Sequence, residues 1–255
     1  MDERLSRRRL LGAGLTGAGG LLLLSGCDRL NRSPGFRAML ESAEQAHLGS
    51  QRLIAGAGLA REFAPGDMSP VFRANGNRDA AGNAEWNGHL ASGFANWRLR
   101  VDGLVLRPLD LSLEALRTMP RRTQVTRHDC VEGWSAIGQW SGAPLGPVLK
   151  AAGLLPAARY IVFHCADRFG DAPYYESIDL IDAFHPQTIL ADTMNGRPLP
   201  VDHGAPLRLR VERQLGYKHA KYVMRIEARS SLAGLYGGKG GYWEDRHDYA
   251  WYAGI

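Results

Sequence analysis

Cysteine is scarce: the 255 residues contain Cys27, Cys130 and Cys165, and no two lie within thirty residues of one another. This excludes a Cys-x-x-Cys metal knuckle, a thioredoxin-like redox pair and a Cys-x-x-Cys-His haem attachment site. His-x-x-x-His is equally absent, so a structural zinc site has no sequence support. There is no internal repeat. No apolar run is long enough to make a good membrane span. Charge is also not concentrated. The formal net charge of +5 and pI near 9.3 come from arginines scattered along the chain, which argues against a nucleic-acid partner. An arginine excess of this kind suits an anionic, phosphate-bearing ligand, because the guanidinium fork matches phosphate geometry.

The first thirty residues stand outside the fold prediction. "SRRRLLGAGLTGAGGLLLLSGC" has a basic start, a short glycine-rich apolar stretch, and Leu24-Ser25-Gly26-Cys27 at its end. The start resembles a twin-arginine export signal and the end a bacterial lipobox. Residues 1–27 are therefore read as a signal, with periplasmic export, a possible lipid anchor at Cys27, and Asp28 favouring the inner membrane. The twin-arginine route carries proteins that fold around a cofactor before crossing, so the signal itself raises the expectation of one. In that oxidising compartment, Cys130 and Cys165 could equally form a disulfide.

Residues 28–68 read as a linker and an irregular or helical lead-in, and residues 69–255 as one mixed, mainly β, α+β domain. "ANWRLRVDGLV", "TQVTRH", "RYIVFHCAD", "PLRLRVE" and "KYVMRIEA" are strands by alternation and composition. "LSLEALRTMP" is a short helix capped by Ser112 and stopped by Pro120, and "PLGPVLKAAG" is a second, ended by Gly153. "SIDLIDAFHP" is a third. The tail "GGKGGYWEDRHDYAWYAGI" lacks periodicity and reads as an ordered surface wrap.

Several of these elements end in unusual polar groups: "RHDCVEGWS", "FHCADRFG", "DHGAPLRLR" and "LGYKHAK". Cys130 could be a nucleophile beside a histidine, although nothing fixes an oriented third group. It could pair with Cys165. It could also be the lone thiolate on a metal whose other ligands come from a cofactor.

"RHDCVEGWSAIGQWSGAPLGPVLKAAG", "YESIDLIDAFHPQTILADTMNGRPLP", "HGAPLRLRVERQLGYKHAKYVMRIE" and "GGYWEDR" resemble the sulfite oxidase superfamily of molybdopterin oxidoreductases. They lie nearer to the catalytic subunits of periplasmic methionine sulfoxide reductases than to sulfite oxidases. The resemblance implies Mo-molybdopterin as cofactor, with Cys130 as the molybdenum ligand. It also implies cofactor contacts at Arg73, Asn75, Cys165, His203, Arg208, Gly216, Tyr217 and Lys218. The implied reaction is reduction of a small or protein-bound S-oxide, with Glu132 as acid or relay. Asp129 and Glu132 beside the ligand disfavour a dianion such as sulfite, and Trp134 could pack against an apolar substituent. The implied partner is a separate membrane haem protein or quinone-linked electron donor, serving a monomeric catalytic subunit. Two rivals remain: oxidation of another small sulfur compound by the same cofactor, and a non-catalytic binding module held by a Cys130–Cys165 disulfide.

Overall fold

The computed structural model describes residues 30, 32–55 and 58–255; the twin-arginine signal and lipobox of residues 1–27 lie outside the described residues. Two compact units are distinguished, residues 1–54 and 55–255. In the first, the helix Pro34–Ala55 carries Ser42 and Ser50, whose hydroxyls back-bond to the carbonyls of Ala38 and Ala46 at 2.8 Å. No helix among the described residues is long and apolar enough to cross a membrane.

The second unit is built on ten strands: β1 Arg98–Gly103, β2 Leu109–Ser112, β3 Arg122–Cys130, β4 Trp134–Pro144, β5 Tyr160–Phe169, β6 Ala172–Asp179, β7 Thr188–Met194, β8 Arg197–Pro198, β9 Arg208–Val211 and β10 Val223–Arg229. They form two sheets, β2-β1-β10-β5-β6 and β3-β4-β7-β8, with β9 paired to β7. Only β1 and β10 run parallel. The main core is shared between the sheets: Leu99, Phe163 and Ile226 meet Leu190, Leu207 and Leu209. The helix Leu145–Ala152 adds Leu145, Val148 and Leu149, all fully buried. This is the mixed, mainly β α+β architecture that the sequence implies.

The helix caps behave as their chemistry dictates. Ser112 accepts the Ala115 N–H at 3.0 Å, and Gly153 ends its helix in the left-handed region at φ 72°. Other expectations shift. Ser177–Asp179 extend β6, and only Leu180–Ala183 are helical. The aperiodic tail contains the helix Tyr242–His247. The lead-in is not all linker: Ala60 exchanges two hydrogen bonds with the Gln187 side chain, and Phe63 N–H donates to Val125 at 2.9 Å.

Candidate active site and cofactor cradle

β3 delivers His128, Asp129 and Cys130 to one end of its sheet, where Cys130 stands opposite Trp134 across a tight turn. Strand alternation splits the three. His128 and Cys130 point inward, while Asp129 faces the other way and is held by Arg127 at 2.9 Å and the Ser135 hydroxyl at 2.5 Å. Asp129 therefore does not flank the thiol inside the site. Cys130 opens into a cavity lined also by Asn75, Asn77, Glu132, Asp167 and Lys221. Phe169, Tyr174, Tyr217 and Trp243 give it an aromatic wall. Burial pushes the Cys130 thiol upward; a bond from the Glu132 backbone N–H opposes this, and the Glu132 carboxylate adds to it. Cys130 and Cys165 are both free, so the disulfide reading has no support.

Asn75 is one wall of the cavity, and its Oδ1 is buried without a partner among the described residues. Arg73, on the same loop, is exposed and does not line the cavity. Glu132 lines the rim and accepts the Trp134 indole N–H at 3.0 Å. Tyr217 lines the cavity, and its neighbour Gly216 is required there. A Cβ on Gly216 would lie 2.5 Å from His128 Nε2 and 2.6 Å from its Cε1. Cys165 is partly buried, bonds only to the Phe163 carbonyl of its own strand at 3.8 Å, and is absent from the cavity lining.

Lys218 departs most from expectation. It is fully buried between Glu176 and Glu244 rather than facing the cavity. Three residues on, Lys221 lines the cavity and donates to the carbonyls of Asn75 at 2.7 Å, Asn77, and Asp202 at 2.9 Å. His219 lines the cavity as well. A lysine in "LGYKHAK" was legible; which of the two faces inward depends on the phase of the 3-10 turn Gly216–Lys218. Asp167, Phe169 and Trp243 were missed, although "FHCADRFG" carries the first two.

Behind this wall lies an unusual excess of buried positive charge. Arg208 has no exposed surface, and its hydrogen bonds go only to the carbonyls of His203 at 3.0 Å and His219 at 3.4 Å. Among the described residues no carboxylate pairs with it, and its Nε has no partner. Trp140 stacks beneath it, 4.9 Å from ring centre to guanidinium carbon. Burial, then Arg210, brings Arg208 down to about 9. His203 falls to about 4 through burial and then Arg208, and Lys221 to about 7 for the same two reasons. Arg210, by contrast, is neutralised by a bidentate bond to Glu212 at 2.9 and 2.6 Å, and holds His128 Nδ1 at 3.0 Å.

Unfilled donors and acceptors converge on this region: Arg208 Nε, His203 Nδ1, His219 Nδ1, His128 Nε2 and Asp167 Oδ1. Buried cations without counter-ions are costly, and this set fits an anionic group with many hydrogen-bonding atoms, phosphate included. Residues 88–233 match the oxidoreductase molybdopterin-binding domain. The chain belongs to that family of oxidoreductases. A molybdopterin fits the residues present: Arg208, His203, His219 and Lys221 are suited to its anionic and polar atoms, and Cys130 offers a sulfur at the cavity.

Other similarities agree with that family. The chain is 37% identical over 258 residues to a protein of Azospira oryzae provisionally named protein-methionine-sulfoxide reductase subunit YedZ1, covering 99% of this chain and 89% of that one. It is 38% identical over 141 residues to the protein-methionine-sulfoxide reductase catalytic subunit MsrP of Xanthomonas campestris pv. campestris, 51% of this chain and 44% of that one. Among solved structures it resembles the sulfane dehydrogenase SoxCD of Paracoccus pantotrophus. There the TM-score is 0.50 and the identity 25%, over 53% of this chain and 39% of that one.

Proposed function

We propose that this molybdopterin oxidoreductase reduces S-oxides, methionine sulfoxide among them, with Cys130 as the protein ligand of molybdenum. The observation that carries the reading is the cavity itself: one buried thiol faces a carboxylate rim and an aromatic wall. Bound, the cofactor supplies two-electron oxygen-atom exchange. The chain's own residues select and orient the substrate. Glu132 on the rim repels a dianion such as sulfite and tolerates a neutral sulfoxide. Phe169, Tyr174 and Trp243 offer apolar faces to the substituents on sulfur. The names of the two sulfoxide reductase relatives support the same substrate class.

Glu132 stands at the rim as a candidate proton donor for the departing oxygen. Electrons arrive from a separate membrane haem or quinone-linked donor, and the chain acts as a monomeric catalytic subunit. It is exported by the twin-arginine route to the periplasm, with Cys27 as a lipid anchor. The test is a substrate panel run in both redox directions with metal and pterin analysis, on wild type, Cys130→Ala and Glu132→Gln. The expected result is one molybdenum per wild-type chain, turnover of sulfoxides over sulfite, loss of that turnover in Cys130→Ala, and a slowed Glu132→Gln. Faster oxidation of a small sulfur compound would replace this reading with its oxidative alternative.

A further inference from the structure

Behind the cavity, β6 and the helix Tyr242–His247 bring Glu176 and Glu244 to either side of Lys218. All three are buried, Glu176, Glu244 and Lys218 at 0% exposure. Lys218 Nζ lies 2.7 Å from Glu176 Oε2 and also pairs with Glu244 Oε1. Two carboxylates against one ammonium leave one uncompensated negative charge. The two carboxylates meet across the one ammonium that both engage. Gly241 makes room for this: a Cβ there would be 2.0 Å from Glu244 Oε2 and 2.6 Å from Glu176 Oε2, so both oxygens flank one point. Two buried carboxylate oxygens flanking one point repel unless the pair holds a proton. With that proton the cluster is neutral.

Among the described residues no second cation forms an ion pair with either carboxylate. Tyr174 and Tyr175 lie by the pair from β6 and Cys165 from β5, Asp167 and Asp245 stand against Tyr174 and Tyr175 in turn, and Trp251 and Tyr217 lie against Lys218. The acids among them only add negative charge. Burial, then the Glu244 charge, accordingly raises Glu176 well above the ordinary carboxylate range, with Lys218 opposing.

Tyr174 connects the pair to the cavity. Tyr174 lines the Cys130 cavity, and its hydroxyl lies 3.5 Å from Glu176 Oε1 while donating to the Tyr217 carbonyl at 2.7 Å. We propose that Glu176 and Glu244 share one proton and deliver it through the Tyr174 hydroxyl to the Cys130 cavity, where the sulfoxide oxygen leaves as water. The delivery step rests on the sulfoxide reading; the shared proton does not. In balance, one sulfoxide, two protons and two electrons give one sulfide and one water. The S–O bond breaks, two O–H bonds form, sulfur is reduced, and the haem or quinone-linked donor is oxidised. One proton comes from the pair; the other proton, and the pair's replenishment, come from solvent through the cavity mouth.

The test combines infrared spectroscopy of the holoenzyme with turnover of dimethyl sulfoxide by reduced viologen, across pH and in light and heavy water. Wild type is expected to show the carbonyl band of a buried carboxylic acid persisting at neutral pH, and both Glu176→Gln and Glu244→Gln to lose it. Tyr174→Phe is expected to keep the band, lose at least about tenfold in kcat with KM unchanged, and show an enlarged solvent isotope effect. Molybdenum per chain, measured alongside, should be equal in all of them. A neutral-pH spectrum without the band overturns the shared proton. Wild-type kcat, pH profile and isotope effect in Tyr174→Phe overturn the delivery route. A wild type with the band and no sulfoxide turnover overturns the substrate reading, and the delivery step with it.

Discussion

Arg208 shows how a single residue can serve a ligand at the expense of the empty protein. Buried, stacked on Trp140 and bonded to two carbonyls, it has no paired carboxylate among the described residues. Arg208→Met should stabilise the cofactor-free protein by about 1–3 kcal/mol in urea unfolding, because an unsatisfied buried donor is removed. The same variant should retain less molybdopterin, read as pterin per chain. Asp167 gives a pH signature. Burial raises it from 3.8 to about 6, with Asn77 and Lys221 opposing. Below the lower value both folded and unfolded states are protonated. Above the upper one the folded state bears the full cost of the charge, so this group lowers stability as pH rises between them. His203, held down to about 4 from 6.5, has the opposite sign: its contribution is lost as pH falls through that interval. Cofactor-free Asp167→Asn should therefore match wild type near about pH 4 and melt higher above about pH 6, with the melting temperature read across pH.

The individual strands explain why part of the architecture was hidden in the sequence. β4 alternates in burial, yet its inward positions include Gly138 and Gly142, which no hydrophobic pattern marks. Glycine is needed at both. A Cβ on Gly142 would sit 1.9 Å from the Leu190 carbonyl oxygen, and one on Gly138 would press the Phe72 ring at 3.0 Å. β7 is buried over nearly its whole length and β6 continuously from Tyr174 to Ile178, so no period of two appears. Strands with one wet face, such as β1, were legible. Gly142→Ala should destabilise by several kcal/mol, about 3 or more, since backbone rather than a flexible side chain must move. Gly138→Ala, opposed only by a ring edge, should cost less, and urea midpoints of the two separate these cases. Gly216→Ala should leave the fold intact and shift the His128 ring, which reduced cofactor retention would report. The site followed the same logic. Cys130 stood out as an isolated cysteine beside polar residues, with three uses open until the family resemblance chose among them, whereas Lys218 and Lys221 share one turn and only its winding decides which faces the cavity.

At the scale of the molecule, the two sheets contribute different halves of the site. β3 and β9 bring Cys130, His128 and Arg208, while β5 and β6 bring Asp167, Phe169 and Tyr174. Neither sheet alone holds both the thiol and the aromatic wall, so cofactor binding should be coupled to global folding. The cofactor-loaded protein is expected to melt in a single transition well above the cofactor-free form, which calorimetry of the two preparations would show. The proposed twin-arginine export is tested at this scale too. The double substitution Arg7→Lys and Arg8→Lys is expected to leave the protein in the cytoplasm with its molybdenum per chain unchanged, measured by cell fractionation and elemental analysis.

The segment after β10 bears on when the protein becomes competent. Ala250 accepts the Tyr217 hydroxyl at 2.5 Å, Ala253 accepts the Leu215 N–H at 2.9 Å, and Ile255 N–H reaches the Arg213 carbonyl at 3.0 Å. Glu244 closes on Lys218, 26 positions earlier. The turn that shapes the cavity is thus buttressed by residues translated after it. A nascent chain with all ten strands already made still lacks the struts for that turn. The cavity turn is therefore braced only once residues 242–255 have followed it.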